Sequence, residues 1–97
     1  GRDPKTQGMP IRICELLATL DAPAYLERVA VNSVAHVRQA KKAIQKAFQA
    51  QVDGKGFSLV EVISTCPTNW GLTPEKACQF VEEKMIPFYP LGCFREK

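Results

Sequence analysis

The chain has 97 residues, of which 45% are hydrophobic and 24% charged, and its net charge is +3. That many apolar side chains can offset the entropy of ordering, which excludes a disordered chain, and the length allows one domain or part of one. The charge is too small to imply nucleic acid as a partner, and no run of about 18 apolar residues is present to form a membrane-spanning helix.

Residues 1–10 carry Gly1, Pro4, Gly8 and Pro10, which do not hold a helix, so an extended arm is expected there. The opening Gly1-Arg2-Asp3-Pro4-Lys5 is polar, leads into no apolar signal segment and lacks an initiator Met. The sequence therefore reads as a processed product or a fragment of a longer chain. Residues 11–20 place Ile11, Cys14, Leu17, Ala18 and Leu20 near helical spacing, and Pro23 ends the short helix that this predicts. Residues 25–31, YLERVAV, fit a strand. Ser33 is then a good N-cap for a long helix whose apolar stripe reads as Val37, Ala40, Ile44, Ala47 and Phe48. Asp53-Gly54-Lys55-Gly56 stops that helix.

A second strand is predicted over residues 57–64, where Leu59, Val60, Val62 and Ile63 are nearly continuous apolar positions, as in a strand covered on both faces. After a Cys-Pro loop, Thr73 caps a last helix with Pro74 at its first position. Ala77, Phe80, Val81 and Met85 form its apolar side, Pro87 and Pro90 end it, and residues 88–97 read as an irregular tail.

Strand, helix and strand in succession define an α/β fold: a βαβ unit with parallel strands and flanking helices, residues 1–97 being a single domain. The long helix is expected to pack Val37, Ile44 and Phe48 onto the sheet. Two strands are too few to be stable alone. The sheet must be completed by further sequence, by a partner chain or by self-association, and the isolated chain is expected to self-associate.

Chemistry-bearing residues are scarce. His36, the single histidine, reads as an exposed helical side chain rather than a general base. No Gly-rich nucleotide loop or nucleophile elbow occurs. Arg38, Lys41, Lys42 and Lys46 read as a solvated helix face, one that could also dock an acidic protein. The four cysteines, Cys14, Cys66, Cys78 and Cys93, form no CxxC pair and read as reduced, cytoplasmic thiols. Cys14 and Cys78 read as small core hydrophobes and Cys93 as a free thiol in the tail. Cys66 differs, because it directly follows the second strand, and ligands of open α/β sheets bind beyond the carboxyl ends of strands.

The run GFSLVEVISTCPTNWG at residues 56–71 resembles the strand and Cys-Pro loop of the thiamine-diphosphate-binding beta subunits of 2-oxoacid:ferredoxin oxidoreductases. GRDPKTQGMPIRICELLATLDAPAYLERVAV at residues 1–31 and MIPFYPLGCFREK at residues 85–97 are similar to the same subunits, with the 2-oxoisovalerate or 2-oxoglutarate type favoured. The resemblance implies the C-terminal portion of an enzyme that cleaves a 2-oxoacid with coenzyme A to an acyl-CoA and carbon dioxide, passing electrons to ferredoxin. It implies thiamine diphosphate, magnesium and a 4Fe-4S cluster as cofactors of the complete enzyme, and other oxidoreductase subunits as partners. Cys66 matches the fourth cluster ligand of the family. The family's Gly-Asp-Gly-Asp and Cys-x-x-Cys motifs are absent here, so this chain is expected to bind neither cofactor tightly and to be inactive by itself. No catalytic or thiamine-binding residue is assigned. The other class of function is a free-standing small α/β module that joins other subunits without catalysis.

Overall fold

A computed structural model describes residues 10–65 and 71–97. The expected arm over residues 1–10 and the loop residue Cys66 fall almost wholly outside that range. In chain order the elements are α1 (Ile13–Leu17), β1 (Tyr25–Ala30), α2 (Val34–Val52), β2 (Ser58–Ile63), α3 (Pro74–Phe80), a π-helical turn (Val81–Met85) and β3 (Gly92–Glu96). The strands form one sheet in the order β2-β1-β3. β1 and β2 are parallel, with Tyr25 opposite Ser58 and Ala30 opposite Ile63. β1 and β3 are antiparallel, with an irregularity between Leu26 and Glu27. The βαβ unit and flanking helices expected from the pattern are present.

Local chemistry explains where the elements begin and end. Ser33 Oγ accepts from His36 N at 3.2 Å at the start of α2, and Thr73 Oγ1 accepts from Lys76 N at 3.3 Å ahead of Pro74. Each cap satisfies a donor that the first helical turn leaves open. Gly54, at φ +66°, carries the chain out of α2 in the left-handed region. Gly56 then passes Ala22 so closely that a Cβ would lie 3.0 Å from its carbonyl oxygen.

Two expectations are corrected. The tail is not irregular: Gly92–Glu96 is the strand β3, and Lys97 N extends the pairing by donating to Ala24 O at 2.9 Å. Its partner is more than sixty residues away, and a five-residue segment following Pro90 carries little local strand signal. The inward stripe of α2 is also displaced. Ala40, Ala43, Ala47 and Ala50 face the core with Tyr25 and Val29, whereas Ile44 is 42% and Phe48 70% exposed. Val37 is half-buried. Alanines let a helix approach a sheet closely, and that contact turns the larger residues toward the open side of β2.

On the opposite face Ala30, Ile63 and Val81 form a second cluster, closed by Met85, Ile86, Tyr89 and Leu91. The last helix thus contributes Ala77 and Val81 to the interior.

Candidate functional site

β1 and β2 run in the same direction, so their carboxyl ends share one edge of the sheet. β2 ends at Ile63, and Ser64 and Thr65 lead on to Cys66, which lies outside the described residues. At the end of β1 the chain passes through Asn32 into the start of α2. Asn32 Nδ2 donates to Cys78 O at 3.3 Å, which orients the amide so that Oδ1 faces His36 Nδ1 at 2.5 Å. His36 is half-buried, not the exposed side chain expected.

His36 and Gln39 form one wall of a cleft of about 280 Å³ that is floored by Glu27 to Ala30 and closed by Leu91 to Cys93. Glu27 is 4% exposed. Its carboxylate accepts from Tyr25 Oη on one oxygen and from Gln39 Nε2, at 2.9 Å, on the other. Burial, and then the adjoining Glu27, push the Tyr25 hydroxyl above its ordinary range, so it remains a donor at neutral pH. Cys93, exposed as a residue, pairs with Glu27 across the strands, and partial desolvation of its sulfur raises its thiol.

Beneath the other face lies Arg28, which is 0% exposed. It donates to both oxygens of Glu15, at 2.5 and 2.9 Å, to Glu61 Oε2 at 2.5 Å and to Pro90 O at 3.1 Å. The rings of Tyr89 and Phe94 flank its guanidinium at 5.4 and 5.3 Å. Its hydrogen bonds with Glu15 foremost, Arg28 is held firmly charged, while the same contact holds the Glu15 carboxyl below the usual carboxylate range. The network joins α1, β1, β2 and the segment before β3. It therefore fixes β2, the strand that precedes Cys66 in the sequence. Sequence reasoning missed it; the signal was the charged pair Glu27-Arg28 inside an otherwise apolar strand.

Cys14, Cys78 and Cys93 are free thiols. Cys14 is buried, as expected, and burial is the main cause that pushes its thiol up to about 11, where it is not a nucleophile at neutral pH. Cys78 is half-buried and Cys93 exposed. Among the described residues, no three His, Cys, Asp or Glu side chains converge on a site for a metal ion. They do not fit a four-iron cluster, which takes four thiolates. No helix of the described residues is long and apolar enough to cross a membrane.

Over all 97 residues the sequence is 43% identical to the ketoisovalerate oxidoreductase subunit VorA of Methanothermobacter thermautotrophicus. The similarity to this subunit extends along the entire length of the chain. The VorA subunit of Methanothermobacter marburgensis matches at the same 43% over the same 97 residues. The chain spans about a fifth of the length of these curated relatives, 20% in each case. No family model matches the sequence, and no solved structure matches it.

Proposed function

We propose that this chain is the C-terminal part of the thiamine-diphosphate-binding subunit of a ketoisovalerate-type 2-oxoacid:ferredoxin oxidoreductase, and that its work there is structural. The observation that carries this reading is the 43% identity to VorA over all 97 residues, a span that includes every element from α1 to β3. In the complete enzyme thiamine diphosphate supplies the carbanion chemistry of decarboxylation, and the 4Fe-4S cluster supplies the path for electrons toward ferredoxin. This segment supplies neither group with a full ligand set. It contributes a sheet edge, covered on one face by α2, and the strand β2 that precedes Cys66. Strand pairing to β1 and the Glu61–Arg28 ion pair hold that strand in place. Cys66 is one thiolate ligand of the cluster, the others coming from elsewhere in the polypeptide or its partner subunits.

Substitution in the complete oxidoreductase tests the assignment. Cys66→Ala removes or degrades the four-iron signal in electron paramagnetic resonance, while Cys78→Ala leaves it intact. An unchanged signal in Cys66→Ala refutes the ligand role. The 97-residue chain alone, titrated with thiamine diphosphate and magnesium in a calorimeter, gives no heat above dilution; micromolar binding would place the cofactor site within this chain.

A further inference from the structure

β1 buries two charged side chains, one on each face. Arg28, on the α1 face, is paired with Glu15 and Glu61. Glu27, on the α2 face, is 4% exposed and joins none of the ion pairs formed among the described residues. Its two donors, Tyr25 Oη and Gln39 Nε2, are neutral. They use two of the roughly four hydrogen bonds that a carboxylate can accept. A carboxylate removed from water with neutral partners alone is costly, and a cation beside it offsets that cost. Packing does not call for the charge. Val29, two residues on and on the same face, meets α2 as an apolar side chain.

Glu27 lies in the floor of the cleft of about 280 Å³ between α2 and β3. Both walls hold it in place: Gln39 of α2 donates to one oxygen, and Cys93 of β3 stands opposite it in the sheet. Lys46 also lines the cleft, but its Nζ is drawn to Glu96 at 3.4 Å, and both side chains are 52% exposed. The volume falls just below the range of about 300–1,000 Å³ that holds drug-sized ligands, so a group of few heavy atoms suits it. Val29, Ala30 and Leu91 give the rest of the lining an apolar part. A metal ion is a poorer match, because no three His, Cys, Asp or Glu side chains converge among the described residues.

We propose that this cleft binds one small organic cation, an ammonium or guanidinium group on a short aliphatic stem, with Glu27 as its counter-ion. Tyr25 and Gln39 fix the carboxylate, the N–H groups of the cation donate to its remaining lone pairs, and the stem lies along Val29, Ala30 and Leu91. A free amine and the end of a lysine or arginine from elsewhere in the oxidoreductase present the same chemistry to Glu27. The inference rests on the lining of the cleft and stands whether or not Cys66 ligates a cluster.

The test titrates the isotope-labelled 97-residue chain with n-butylammonium and, separately, with neutral n-butanol, following nuclear magnetic resonance shifts at residues 27–30, at residues 91–93 and at the Gln39 side-chain amide. The amine binds at least about tenfold more tightly than the alcohol, a comparison that needs no variant. Glu27→Gln keeps the size of the side chain, and with its fold confirmed by circular dichroism it brings the amine down to the level of the alcohol. Equal binding of amine and alcohol, undiminished binding to Glu27→Gln, or shifts no larger than those at the exposed Glu75 and Glu83 would overturn the proposal. Hydrogen exchange at residues 91–93 of the complete oxidoreductase separates the two sources. Added n-butylammonium slows it where the cation is a free amine. Glu27→Gln speeds it, and the amine has no effect, where a lysine or arginine side chain fills the cleft. No response to either change overturns both.

Discussion

On the α2 side, β1 presents Tyr25 and Val29 to a row of alanines; on the other side it presents Arg28 to Glu15 of α1 and Glu61 of β2. The first contact is a matter of size. Ala40 and Ala43 admit the sheet because they are small. The second is a matter of charge, since a guanidinium removed from water is sustained only while its acceptors stay ionised and in place. One strand thus carries two kinds of constraint, and each kind fails under a different perturbation.

Removing the cation should have the largest effect. Arg28→Ala leaves the Glu15 and Glu61 carboxylates without their partner and should cost about 3–5 kcal/mol in urea unfolding. Replacing Glu15, Arg28 and Glu61 together by leucine or methionine should cost less than Arg28→Ala alone, because no unpaired charge remains. Acid offers a milder form of the same perturbation. Arg28 holds the Glu15 carboxyl below its ordinary value of 4.5, so its contribution is present above that pH and lost as pH falls through the folded-state value. Stability of the native sequence should therefore decline below about pH 4.5, and Arg28→Ala should flatten that part of the profile.

On the size-governed face, Ala43→Leu should cost about 1–3 kcal/mol through overpacking, with little dependence on pH. The smallest effect belongs to Phe48→Ala. That side chain is 70% exposed, and its truncation should change the stability of the isolated chain by no more than about 0.5 kcal/mol. A loss well beyond that would mean that Phe48 packs inward with the alanines.

The order strand, helix, strand and the caps at Ser33 and Thr73 were legible in the sequence. Each rests on interactions within a few residues: alternating or periodic apolar positions, a hydroxyl three residues before an amide, a proline at a first turn. Cys66 was singled out by its place after an apolar strand, a feature of sequence that the described residues do not extend. The apolar stripe of α2 was legible only in part, because Ile44 and Phe48 outrank alanine in hydrophobicity yet lie off the contact.

By itself, the sequence determined the βαβ unit, the capped starts of α2 and α3 and the 43% identity to a ketoisovalerate oxidoreductase subunit. Tertiary structure decided which face of α2 meets the sheet, that residues 92–96 pair with β1, and that Glu15, Arg28 and Glu61 meet at one point. The reason is range. Hydrogen bonding and helical periodicity act between near neighbours in the chain, whereas close packing and the pairing of buried charge join residues that only the folded chain brings together.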